Sequence, residues 1–225
     1  MKKRDKKSKD LIKKPLKVGA ICGILLIVMF IISIIVSSII ELNAVYSIIY
    51  SILFYAFLLL FFYGFYVLGK RYKNKMLKVV SLIFIIFYII SFLIFGVFGF
   101  AMDGYGEELQ QKMDQIGINE SSENLTEDQA QAVMDELLPL VLPIIIFVLI
   151  YGVLLLVVDI LFGVGLIKLG KNVKHAKMTG ILEIIGSGSL LLIVGLLFGA
   201  GLIILLIAHV FKIVILFNES KKAKE

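Results

Sequence analysis

Residues 180–217 read GILEIIGSGSLLLIVGLLFGAGLIILLIAHVFKIVILF, an apolar run of 38 residues. As one straight helix it would extend about 57 Å at 1.5 Å per residue. The hydrocarbon core of a bilayer is only about 30 Å thick. A hairpin is therefore the better reading, with Gly199-Ala200-Gly201 as the expected turn, because glycine relieves the steric limits of a tight reversal. The second arm, Gly201–Phe217, holds His209 and Lys212 among thirteen large apolar residues. Each apolar residue favours insertion by roughly 0.3–0.6 kcal/mol, and one lysine costs at most about 2.5–3.5 kcal/mol. The apolar side wins.

Working outward, four further blocks are long enough to cross a bilayer: Val18–Ile40, Ala44–Gly69, Val79–Met102 and Leu137–Ile167. With the two arms, residues 180–198 and 201–217, the expected fold is an all-α membrane protein. It is a single domain of six transmembrane helices, with five as the alternative if the last block does not turn. The composition agrees. Of the 225 residues, 60% are hydrophobic and 18% charged, against about 45–50% and 25% in soluble domains. This excludes a soluble enzyme, a disordered tail and a disulfide scaffold. The lone cysteine, Cys22, forbids an intrachain disulfide.

The basic residues give the direction. Residues 1–17 carry nine Lys or Arg, Lys70–Lys78 five, Lys168–Lys177 four and the tail 218–225 three. Six spans place these 21 of 23 on one side, cytoplasmic by the positive-inside rule, with both termini there. The opposite side receives Glu41–Asn43 and the loop Asp103–Glu136, which has ten acidic residues and one lysine. The apolar stretch after the basic N-terminus is too long for a cleavable signal, so it reads as a retained cell-membrane helix. Its lysines orient the chain and touch anionic lipid; nucleic acid is not an expected partner.

In the outer loop, Thr126 and Gln129 have capping-box spacing. They predict a helix running toward Leu137, halted or kinked near Pro139 and Pro143. Leu109, Met113 and Ile116 predict a shorter helix over Glu107–Ile116. Asn119 and Asn124 head N-x-[ST] acceptor patterns for glycosylation. The loop is the expected surface for any protein partner; otherwise it is a solvated acidic segment. Oligomeric state is not readable.

An internal echo occurs at an offset of 101 residues. Phe61, Gly64, Leu68, Gly69, Lys70 and Lys73 correspond to Phe162, Gly165, Leu169, Gly170, Lys171 and Lys174. Either a parallel duplication or convergence on one turn chemistry, glycine to end a helix and lysine to anchor it, explains the match. Lys17-Val18-Gly19-Ala20, Tyr63-Gly64-Phe65 and Leu68-Gly69-Lys70 resemble an uncharacterised prokaryotic membrane family, frequent in archaea and known only as a domain of unknown function. The closing stretch resembles it too, from Thr179-Gly180-Ile181-Leu182 through Gly195 and Gly199 to Asn218. The resemblance implies a multi-pass membrane protein and no reaction, ligand or catalytic residue. The long acidic loop, His209 and Lys212 depart from it.

Ionisable groups inside a membrane are costly and are the first functional candidates. Asp159, Glu183, His209 and Lys212 are the four here. Under six spans Asp159 and His209 lie about 14 Å, and Glu183 and Lys212 about 9 Å, from the cytoplasmic ends of their helices. They fall in one layer. Gly152, Asp159 and Gly163 share a face, as do Glu183, Gly186 and Ser187, and His209 with Lys212. Small residues beside a charge favour a helix–helix interface, so Asp159 and Glu183 are expected to pair with Lys212 and His209. The layer either fixes the bundle or carries protons or a cation. Gly19-x-x-x-Gly23 and Gly195-x-x-x-Gly199 have close-packing spacing, expected to serve contacts within the chain. No nucleotide loop, zinc motif or nucleophile elbow is present in the sequence. No enzyme activity, cofactor or metal is expected.

Overall fold

The computed structural model describes residues 2–37, 44–115, 131, 135, 138–191 and 195–222. Among them are six helices: α1 (Lys2–Ser37), α2 (Ala44–Arg71), α3 (Lys75–Gln115), α4 (Leu138–Leu169), α5 (Ala176–Leu191) and α6 (Gly195–Lys222). The described residues contain no strand. Five segments are long and apolar enough to cross a membrane: Ile12–Val36, Ile48–Arg71, Lys75–Ile94, Val141–Leu169 and Gly199–Lys222. That is the make-up of a multi-pass membrane protein. Helix α5 is not among the five. Its 16 residues span about 24 Å.

The chain divides into two compact units, residues 1–90 with 155–225, and residues 91–154. In the first unit the six helices close a ring of contacts. A Cβ on Gly19 of α1 would sit 3.2 Å from Gly64 Cα of α2. Phe62 of α2 stacks on Phe84 of α3 at 4.3 Å. Phe84 meets Phe162 of α4 edge-on at 5.7 Å. A Cβ on Gly163 of α4 would lie 2.7 Å from the Gly180 oxygen of α5. Gly186 of α5 faces Leu205 of α6, and Ile213 of α6 returns to Gly23 of α1. Phe61, Phe65, Phe84 and Phe162, all buried, fill the centre. Edge-to-face rings of this kind add about 0.5–1.5 kcal/mol per pair beyond their buried area.

The pairings give direction. Gly19 meets Leu216 and Gly23 meets Ile213, so α1 and α6 are antiparallel; Gly19 with Gly64 and Gly23 with Phe61 make α1 and α2 antiparallel too. Arg71 Nη1, at the end of α2, donates to the Glu219 carbonyl at 2.9 Å near the end of α6. The start of α1 and the ends of α2 and α6 therefore lie together, and with them the basic segments.

The final apolar block does reverse, but elsewhere than the glycines suggest. Glu183 faces Lys212, while Gly201 faces Gly186 and Leu190; α5 and α6 are an antiparallel pair. Gly199-Ala200-Gly201 lies inside α6, and residues 192–194 separate the two helices. The expected turn is corrected accordingly. Gly201 serves close approach instead of reversal: a Cβ there would come 3.1 Å from the Gly186 oxygen.

Two other expectations change. Helix α3 runs unbroken through Gln115, so Glu107–Ile116 is no separate helix but mostly the end of a longer one. Helix α4 passes through Pro143, so of the expected halt or kink the halt does not occur. Pro139 falls in its first turn, where a missing N–H costs nothing. The basic N-terminus is helical from Lys2, continuing through Pro15 into the first span. Thr126, Gln129 and both sequons, Asn119 and Asn124, lie outside the described residues.

The second unit holds contacts of its own. The Ser91 and Tyr151 hydroxyls are hydrogen-bonded, and Tyr151 stacks on Phe147 at 6.2 Å.

Candidate functional site: a polar layer in the helix bundle

Helix α5 buries Ala176, Thr179, Gly180, Glu183, Gly186 and Ser187, a single face by helical spacing. Glycines on that face set the depth of packing. A Cβ on Gly180 would run into the Gly163 oxygen, and one on Gly163 would touch Glu183 Cβ at 3.1 Å. The backbones of α4 and α5 thus approach as closely as small residues permit, which draws Glu183 into the protein interior.

There Lys212 Nζ donates to Glu183 Oε1 at 2.7 Å, with the two side chains 7% and 1% exposed. The ammonium also stands 5.5 Å from the Phe162 ring centroid, a cation–π contact. Glu183 Oε2 is buried without a hydrogen-bond partner. Half-buried Asp159 lies within electrostatic reach of both Glu183 and Lys212. Its Oδ2 accepts from Ser187 Oγ at 2.9 Å.

The four ionisable residues are thus partnered unequally. Glu183 takes Lys212. Asp159 takes a hydroxyl, Ser187, four residues along α5 from Glu183. His209 does not join a carboxylate: its Nε2 lies 3.1 Å from the Gly23 carbonyl of α1, and its ring packs on Phe61 at 4.7 Å. Gly23 makes this possible because it has no side chain to fill the gap; a Cβ there would lie 2.7 Å from Phe61. Of the two small-residue motifs, Gly19-x-x-x-Gly23 packs against α2 and α6. Gly199 meets nothing within 4 Å, and nor does Gly152, which shares a helix with Asp159.

A second polar centre, not anticipated from the sequence, lies at the basic end. Glu219 is fully buried. Its Oε2 accepts from Tyr72 Oη at 2.5 Å and lies 3.4 Å from Arg71 Nη1. Its Oε1 accepts from Lys222 Nζ at 2.7 Å. Burial and the Glu219 carboxylate push the Tyr72 hydroxyl up to about 12, since both disfavour a second negative charge. The available signal was Glu219 itself, an acid directly after a span at the head of a lysine-rich tail.

The two turns of the internal echo are alike only in part, since the positive φ falls at Lys73 in the first and at His175, one place beyond the 101-residue offset, in the second. Asn74 N–H donates to the Gly69 carbonyl and Lys73 N–H to the Lys70 carbonyl, with Lys73 at φ 53°. This is the Schellman stop, with lysine where glycine usually stands. Asn74 then caps α3, accepting from Leu77 N–H at 3.1 Å. Gly69 is not the stop. It lets α3 fold back, since a Cβ there would lie 2.7 Å from Lys78 N; Gly170 does the same for Lys177, with a Cβ 2.6 Å from Lys177 Cβ. Helices α3 and α5 begin at Lys75 and Ala176, in step with the 101-residue offset.

No protein-family model, curated protein or solved structure matches this chain.

Proposed function

We propose that the chain is a six-crossing, single-domain cell-membrane protein with both termini cytoplasmic, acting as a structural or interaction protein and not as an enzyme. The observation that supports this best is the Lys212–Glu183 pair, at 2.7 Å and almost wholly withdrawn from the surroundings. A charge so placed is neutralised by its partner and holds α5 to α6. The short α5 completes the even number of crossings, which keeps the basic segments on one side. Interaction with another protein is assigned to the acidic loop, residues 103–136, on the opposite side. Membership of the uncharacterised prokaryotic family belongs to this reading and adds no activity to it.

One observation favours a second reading, a proton or cation pathway. Glu183 Oε2 has no partner, and Asp159 stands beside it, half-buried. Two carboxylates sharing one lysine leave a surplus negative charge, which is what a proton or cation would neutralise. Flux decides between them. The full chain is reconstituted in proteoliposomes with an internal pH dye, beside Asp159→Asn. The structural reading expects no flux above empty vesicles in either protein. Flux in the parent, lost in a correctly folded Asp159→Asn, would overturn it in favour of transport.

A further inference from the structure

At the start of α5 a groove of about 430 Å³ is lined by Lys174, His175 and Lys177 together with apolar side chains that include Met178 and Ile181. Neither lysine has an ion-pair partner among the described residues. Both are exposed, so the groove carries two uncompensated positive charges. The α5 N-terminus adds the positive end of a helix dipole. Below the lysines the chemistry changes abruptly. Met178, Ile181 and Ile185 are 42%, 41% and 49% exposed. Their spacing of three and four puts them on one stripe of α5, leading from the groove toward the middle of the bundle.

A cationic mouth opening onto an apolar rail is complementary to one kind of molecule, an anion with a hydrocarbon chain attached. We propose that this groove binds an anionic phospholipid, the phosphate against Lys174 and Lys177 and one acyl chain along Met178, Ile181 and Ile185. The proposal rests on the reading that the basic end lies at the membrane interface. A neighbouring cavity of about 390 Å³ supplies the contrast. It is lined by Lys73, Lys75 and Lys168 with Asn74 and Asn172, and none of its apolar lining is exposed. Its own apolar lining is half-buried or buried, unlike Met178 and Ile181.

The sequence has no tryptophan, so Ile185→Trp supplies a single indole on the rail, outside the groove's own lining. The full chain carrying it is reconstituted in bilayers of equal phosphatidylglycerol and phosphatidylcholine, with bromine on the acyl chains of one lipid at a time. Brominated phosphatidylglycerol is expected to quench the indole more strongly than brominated phosphatidylcholine. Adding Lys174→Ala and Lys177→Ala should abolish the excess, the preference falling roughly fivefold per lysine. Adding Lys73→Ala and Lys75→Ala instead removes as much charge from the same end and should leave the excess intact. Equal quenching by the two lipids overturns the site while leaving the membrane reading standing. Equal loss in the two double variants overturns it as diffuse attraction. Suppression of the excess by inorganic phosphate, at ionic strength matched with chloride, overturns it in favour of a free anion. No quenching by either lipid contradicts the membrane placement itself.

Discussion

Lys212 of α6 and Glu183 of α5 form an ion pair at 2.7 Å whose members are 7% and 1% exposed. Their 29-residue separation is closed by the reversal between the two helices. Such a pair contributes little net stability, because desolvation offsets most of the attraction. Breaking it is costly, because one charge is then left buried alone.

Lys212→Met is therefore expected to destabilise the purified protein by about 3–5 kcal/mol. The double variant Lys212→Met with Glu183→Leu should recover most of that loss, since two apolar side chains leave nothing unpaired. Thermal unfolding in detergent, followed by circular dichroism, reads both. A double variant no more stable than the single one would show that the pair does more than neutralise itself.

The contact between α4 and α5 depends on two residues without side chains. Gly163→Ala and Gly180→Ala should each cost about 1–3 kcal/mol, the usual range for overpacking a filled site. Gly188→Ala, where an added Cβ meets nothing within 4 Å, should fall within about 0.5 kcal/mol of the parent. The same unfolding assay separates the buried glycines from the open one.

At the basic end, the Tyr72 hydroxyl is pushed up to about 12 from the usual 10 by burial and by Glu219. The folded protein thus holds this proton more tightly than the unfolded chain. Its contribution to stability is complete below pH 10 and is lost as the pH rises from there through about 12. In an ultraviolet titration of the nine tyrosines, Tyr72 should ionise late. Glu219→Gln should move that step to lower pH, and Tyr72→Phe should remove it.

The spacing of Asp159, Glu183, His209 and Lys212 marks four polar groups at matching distances from the ends of their helices. Their partners were less legible. Periodicity says which residues share a helix face, but it cannot see that Ser187 takes Asp159 or that a bare carbonyl on α1, at Gly23, takes His209. Opposite charges invite pairing on paper, whereas in the bundle the nearest polar atom wins. Glycine misled in a different way. Gly69 and Gly199-Ala200-Gly201 read as places where helices stop, yet each lies within a helix. The conformational freedom of glycine permits a turn without requiring one. Gly69 and Gly201 are used for their lack of a side chain, which lets neighbouring helices close in. Nothing in the spacing around Glu219 marks it as buried, because only the fold brings Arg71 and Tyr72 over it.

The most direct test of the topology uses single cysteines in a Cys22→Ser background. Lys73→Cys sits in the turn between α2 and α3, and Lys221→Cys near the end of α6; both side chains are exposed. An impermeant thiol reagent added to intact cells should modify neither, and both should react once the membrane is opened. Modification of residue 221 from outside while residue 73 stays protected would contradict the returning hairpin, and with it the shared end on which the Glu183–Lys212 layer depends.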